Sequence, residues 1–198
     1  MGLELYYISG QTPLDEYEKE GLLIKTITIH KELDGQEQLN IKESKVWLLK
    51  IKLDIHKILS EDFIKKLHSK MFGNVWRWAG SYRNSNKNIG VDKFEIPIHL
   101  RNLLDDTKYW IDNKTFSEDE IVIRFSHRIV QIHLFPNGNG RHSRLIADVL
   151  INKGFAKQEF TWGSTNLTTA GTVRSLYLTT LRNADNGNFK DLITFARS

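Results

Sequence analysis

At 198 residues, 40% of them hydrophobic and 26% charged, the chain has the size and composition of one globular domain with a sizeable core. It has no cysteine, which excludes a disulfide framework and cysteine-ligated metal and fits a reducing compartment. No stretch approaches the roughly eighteen apolar residues of a membrane span, and Met1-Gly-Leu-Glu-Leu-Tyr-Tyr lacks the basic start of a secretory signal, so a soluble cytoplasmic protein is expected.

In chain order, Thr12-Pro-Leu-Asp15 reads as a helix start with Thr12 as N-cap and Pro13 at the first helical position, and Gly21 reads as its stop. Apolar residues from Leu39 to Ile58 populate a long helix-like stretch, and Ser60 caps a second helix reaching Met71. Arg83-Asn-Ser-Asn-Lys-Asn-Ile-Gly90 is polar and rich in turn formers. The following Val91-Asp-Lys-Phe-Glu-Ile96 has apolar residues at 91, 94 and 96, so a short hairpin is expected there. Its exposed edge would suit strand addition by a partner peptide. Ile98 to Asn113 reads as another helix, and Ser117-Glu-Asp-Glu120 is a capping-box pattern for the buried helix that follows. Thr168 to Ala184 and Asn188 to Ala196 complete a mainly helical set without repeats. Trp76, Trp78, Trp110 and Trp162 suit packing roles, and His30, His56, His68, His99, His127 and His142 show no metal-ligand spacing.

The densest chemistry lies in His133-Leu-Phe-Pro-Asn-Gly-Asn-Gly-Arg-His-Ser-Arg144. It falls between two apolar helical runs, so it should be a tight loop followed by a new helix N-terminus. Such an N-terminus offers unpaired N–H groups and the positive end of the helix dipole to an anion. Gly138 and Gly140 would let a phosphate come close, and Arg141 and Arg144, at i and i+3, can reach one polyphosphate together. His133 stands where it could take a proton from an incoming hydroxyl.

This stretch resembles the signature HxFx(D/E)GNGRxxR of the Fic (Fido) family, matching at His133, Phe135, Gly138, Asn139, Gly140, Arg141 and Arg144. Gly80-Ser-Tyr-Arg83 resembles the family's G-x-[YF]-R segment, Asn88 to Pro97 its flap hairpin, and Tyr177 to Ala184 its last helix. More narrowly, Trp76-Arg-Trp-Ala-Gly80 with the motif resembles the subgroup called mobile mystery protein B. The resemblance implies an all-α fold with a small β-hairpin flap in a single domain over 1–198, with its core at about 38–197 and a regulatory helix within 1–30. It also implies transfer of AMP from ATP to a Ser, Thr or Tyr hydroxyl of a target protein, with Mg²⁺ or Mn²⁺ as cofactor. His133 would be the base. The amides of Gly138 to Gly140 would hold the α-phosphate, Asn139 would orient the loop and contact phosphate, and Arg141 and Arg144 would neutralise the β- and γ-phosphates. Asn88, Ile89, Gly90 and Val91 would dock the target.

Two departures from the family pattern bear on this. Asn137 replaces the family's metal-binding Asp or Glu, so weaker metal affinity is expected. Leu134 replaces a common Pro. Gly140, by contrast, is retained where the family's phosphotransferases carry Lys, which favours AMP transfer. Glu20-Gly21 fits half of the family's inhibitory pattern [ST]xxxE[GN], so a salt bridge from Glu20 to Arg144 is expected, with an antitoxin or other regulator as its rival. A catalytically weak scaffold that binds a partner is the alternative that Asn137 raises. A nucleic-acid-binding module, suggested by the net charge of +4 and pI near 9.2, is disfavoured because the basic residues are spread along the sequence.

Overall fold

The computed structural model describes Leu5, Tyr7, residues 12–164 and residues 171–198. Among the described residues the regular structure is helical, apart from isolated bridge positions that include an antiparallel bridge between Leu22 and Trp76. No described helix is long and apolar enough to cross a membrane.

Local polar chemistry sets where the helices begin. Helix α1 is Glu16–Glu20, capped by Asp15 and not by Thr12: the Asp15 carboxylate accepts the Glu18 N–H while the Glu18 carboxylate accepts the Asp15 N–H. The expected long stretch from Leu39 to Ile58 divides between α2 (His30–Leu49) and α3 (Ile55–Ile58). Asp54 makes the break, because its carboxylate accepts the Lys57 N–H at 2.8 Å and so starts a new helix. Ser60 caps α4 (Glu61–Phe72) as expected. Helix α5 (Ile96–Asp112) begins two residues early because Pro97 suits a first turn. Ser117 caps α6 (Glu118–Ile132), but the Glu120 carboxylate turns to Arg124, so the reciprocal half of the expected box is not seen. Helix α7 (Asn139–Val149) runs on into a π-helical turn, Leu150–Gly154. Helices α8 (Thr172–Asp185) and α9 (Lys190–Arg197) follow. The expected start at Thr168 lies outside the described residues.

The hairpin expected across 83–96 is absent. Polar side groups there compete for the backbone donors a strand ladder would use: Asn86 Oδ1 accepts the Lys93 N–H at 2.9 Å and Asp92 Oδ1 accepts the Phe94 N–H at 2.9 Å. The flap is a series of polar turns leading into α5.

Helix α6 is central, packed against α5, α7 and α9, while α2 packs on α4. Its Phe125, Ile129 and Ile132 are fully buried, each contributing about 1.5–3 kcal/mol relative to exposure. Ser126 Oγ donates to the Ser143 carbonyl at 3.1 Å between α6 and α7. Asp185 accepts from Gln131 Nε2 at 2.8 Å and lies 2.9 Å from His127 Nε2, which joins α8 to α6. The loop between α6 and α7 is therefore held from both ends by buried helices.

Candidate active site

His133 ends α6 in the left-handed region, at φ 56° and ψ 64°. That turn reverses the backbone into the motif loop, whose shape is set by buried side groups. Asn139 accepts the Phe135 N–H at 3.0 Å and donates to the Phe135 carbonyl at 2.7 Å. Its amide is thereby committed to the loop, and a phosphate contact by Asn139 would have to come from its backbone. Phe135 is fully buried and stacks on His68 at 3.7 Å between ring centroids. His68 Nδ1 accepts the Gly80 N–H at 3.0 Å, so Nε2 carries the proton and donates to the Asn137 carbonyl at 3.0 Å. One neutral imidazole thus ties the loop to the Gly80–Arg83 segment.

His133 is 5% exposed, and its ring nitrogens have no side-chain partner; the Val130 backbone beside the ring only partly stabilises its charged form. Burial, then the positive charges of Arg83 and Lys87, push its pKa down to about 4, so the ring is neutral at neutral pH, with one nitrogen free to accept a proton. Above it lies the flap. A Cβ on Gly90, at φ +106°, would come within 2.8 Å of His133 Cβ and of Arg83 Nη2, so only glycine permits this approach. Of the expected docking residues, Asn88 and Ile89 are exposed, and the Val91 N–H reaches the Ile132 carbonyl at 3.4 Å.

His133, Gly138, Asn139, Gly140, Arg141 and Arg144 line one cavity of about 740 Å³ with Ile89, Gly90 and Val91, a volume suited to a nucleotide-sized ligand. Arg144 lies over the Tyr177 ring at 5.3 Å, and no carboxylate pairs with it among the described residues. Arg141 is paired: Nη1 donates to Glu37 Oε2 at 2.5 Å, and Trp76 Nε1 donates to Glu37 Oε1 at 2.6 Å. Glu37, from α2, was not among the expected site residues; nothing in the sequence separates it from the other acids of that helix. Arg174 of α8 also lines the cavity.

Asn137 does not fit a resident divalent cation. Its Oδ1 accepts the Gly138 N–H at 2.6 Å and lies 3.5 Å from Arg141 Nη2, so the neutral oxygen is already engaged beside a cation. No cluster of three or more His, Asp or Glu ligands occurs among the described residues. The expected Glu20–Arg144 bridge is also absent: Glu20 is exposed, and its carboxylate makes no ion pair among the described residues. The acid of α1 that engages the site's surroundings is Glu18, which is buried against Lys87 and Ser85 of the flap and whose carbonyl accepts from Trp78 Nε1 at 2.9 Å.

A family model described as Fic/DOC matches residues 58–151, which contain the whole motif loop. The motif loop therefore lies within a segment that is similar to the Fic/DOC family. Among solved structures it is similar to the N-terminal Fic domain of Bep8 from Bartonella sp. 1-1C, with 16% identity over 88% of this sequence and 89% of that one and a TM-score of 0.67. It is also similar to BepC from Bartonella tribocorum with AMPPNP bound, at 16% identity over 97% and 94% and a TM-score of 0.66. A Fic-1 segment from C. elegans matches at 16% identity and a TM-score of 0.61 over 97% of this sequence, which spans half the length of that segment. At these identities the likeness is one of fold, and the helical arrangement is a Fic fold.

The two motif glycines should behave differently. Gly138, at φ +78°, would place a Cβ 2.6 Å from the Phe72 ring, whereas at Gly140 the nearest atom is Arg144 Nη1 at 3.8 Å. Gly138→Ala should lower unfolding stability by about 2 kcal/mol or more. Gly140→Ala should leave it unchanged or higher while weakening ATP binding; equal losses of stability by urea unfolding would contradict this reading.

A pH dependence of stability follows from the buried histidines. Burial lowers His142 to about 4, as it does His133, and holds His68 well below 6.5. The unfolded protein takes up these protons near pH 6.5 and the folded protein does so only at lower pH, so stability is lost as pH falls below 6.5, by up to about 1.4 kcal/mol per unit for each group. Asp148, raised by burial to about 7, acts in the opposite direction between 3.8 and 7. The urea midpoint should fall from pH 6.5 to 4.5, and fall more steeply in Asp148→Asn; a level profile in both proteins would count against the buried neutral histidines.

Proposed function

We propose that the protein transfers AMP from ATP to a Ser, Thr or Tyr hydroxyl of a target protein. The observation that carries this is the His133 ring, buried and neutral, with no side-chain partner on either nitrogen, lining the same cavity as the glycines and arginines of the motif. A buried polar group without a partner calls for one, and a substrate hydroxyl in the cavity would supply it. The AMPPNP bound by the similar BepC protein supports a nucleotide here. The sequence of Trp76 to Gly80 supports placing the protein in the mobile mystery protein B subgroup.

In the transfer, the hydroxyl oxygen attacks the α-phosphorus as its proton passes to a ring nitrogen of His133. The bond between the α-phosphorus and the oxygen bridging to the β-phosphorus breaks, and pyrophosphate leaves with its charge countered by Arg141 and Arg144. The N–H groups of Gly138 to Gly140 hold the α-phosphate. For that, Asn137 Oδ1 must release the Gly138 N–H that it now accepts, and Glu37 must share Arg141 with the phosphates. The catalysis is positioning and electrostatic stabilisation rather than a covalent intermediate. Mg²⁺ or Mn²⁺ enters with the triphosphate as part of the substrate. The target presents its hydroxyl beside Asn88 to Val91.

Incubation with α-labelled ATP in a lysate tests this. The parent should label protein and His133→Ala should lose the label by roughly a hundredfold or more; equal label in the two would refute the mechanism. In Asn137→Asp the labelling should become more responsive to Mg²⁺, because a carboxylate restores the anionic ligand.

A further inference from the structure

We infer that Arg83 is a positioning residue of this site, its guanidinium fixing the His133 backbone and the flap above it as one unit; the inference rests on His133 being the base. Arg83 is 2% exposed, and its fork addresses three stretches of backbone. Nε donates to the His133 carbonyl at 2.7 Å, Nη1 to the Ser85 carbonyl at 2.8 Å, and Nη2 to the Val91 carbonyl, with the Ile132 carbonyl 3.5 Å away. Its own N–H donates to the Leu134 carbonyl at 3.0 Å.

Each of these bonds has a physical reason. The last carbonyls of a helix have no intrahelical donor, and the left-handed turn at His133 leaves those of Ile132 and His133 at the end of α6. A guanidinium set there caps the helix C-terminus and meets the negative end of the helix dipole. Its remaining donors take the Ser85 and Val91 carbonyls, which brings Gly90 against His133. All the acceptors within hydrogen-bond reach are neutral oxygens, so the positive charge stays beside the imidazole. The other charge acting on His133 is Lys87, which is paired with Glu18. A lysine at position 83 would keep the charge but could not span the carbonyls that a planar fork reaches.

These properties separate positioning from mere support of the fold. In the full-length protein without nucleotide, the His133 ring titration is followed by NMR and the amide exchange of residues 84–92 by mass spectrometry. In Arg83→Met the His133 pKa should rise from its low value, burial keeping it below 6.5, and flap exchange should quicken by at least about tenfold. Arg83→Lys should keep the low pKa yet exchange as quickly as the Met variant. At saturating ATP, labelling by Arg83→Met should slow by about tenfold or more while ATP affinity changes by less than about twofold. Unchanged titration and exchange in Arg83→Met would overturn the inference. If that variant does not fold, Gly90→Ala, which displaces both Arg83 Nη2 and His133 Cβ, should quicken flap exchange and slow labelling, and parental values of both would overturn it. A parent protein that labels nothing would refute the transfer reading and leave the titration and exchange results to decide the role of Arg83.

Discussion

The site depends on α6 ending in a left-handed turn at a residue that is not glycine. That conformation costs about 1–2 kcal/mol for an L-residue, and it points the backbone at His133 back across the end of its own helix. What offsets the cost is local: the Arg83 fork on the freed carbonyls, the Asn139 amide on both backbone groups of Phe135, and His68 on the Asn137 carbonyl. Each holds a different part of the loop between α6 and α7. The result places His133 and a helix N-terminus on one cavity.

The electrostatics of the site are a matter of arrangement and not of net charge. Arg83 and Lys87 sit on the flap side of His133, while Arg141, Arg144 and Arg174 line the cavity. Glu18 and Glu37 answer one cation on each side. Burial, then the flap-side cations, keep the imidazole neutral. A polyphosphate would bring negative charge beside it and stabilise the imidazolium formed as the hydroxyl proton arrives. The same ring is thus ready as an acceptor before the substrate enters and better able to hold the proton afterwards.

The helical class and the motif loop were legible in the sequence because apolar runs, Gly138 and the two arginines act through local rules: helix periodicity, backbone freedom and i, i+3 spacing. The caps at Ser60 and Ser117 were legible for the same reason. What the sequence hid is tertiary. Glu37 reaches Arg141 across 104 positions, and Glu18 reaches Lys87 across 69. The flap shows the limit of alternation as a signal: Val91, Phe94 and Ile96 suggested a strand, but Asn86 and Asp92 take the backbone N–H groups, and Phe94 is exposed. Glu20 fits half of a short inhibitory pattern, but the buried carboxylate of that helix is Glu18, its third residue and the partner of Asp15 in the capping box.

The most direct test of the account is the identity of the phosphate that is transferred. Parallel reactions with α-labelled and γ-labelled ATP, each compared with His133→Ala, separate transfer of AMP from transfer of phosphate. The arrangement of His133 over the start of α7 predicts His133-dependent label from the α-position and none from the γ-position. Retained γ-label, or α-label that survives loss of His133, would contradict it.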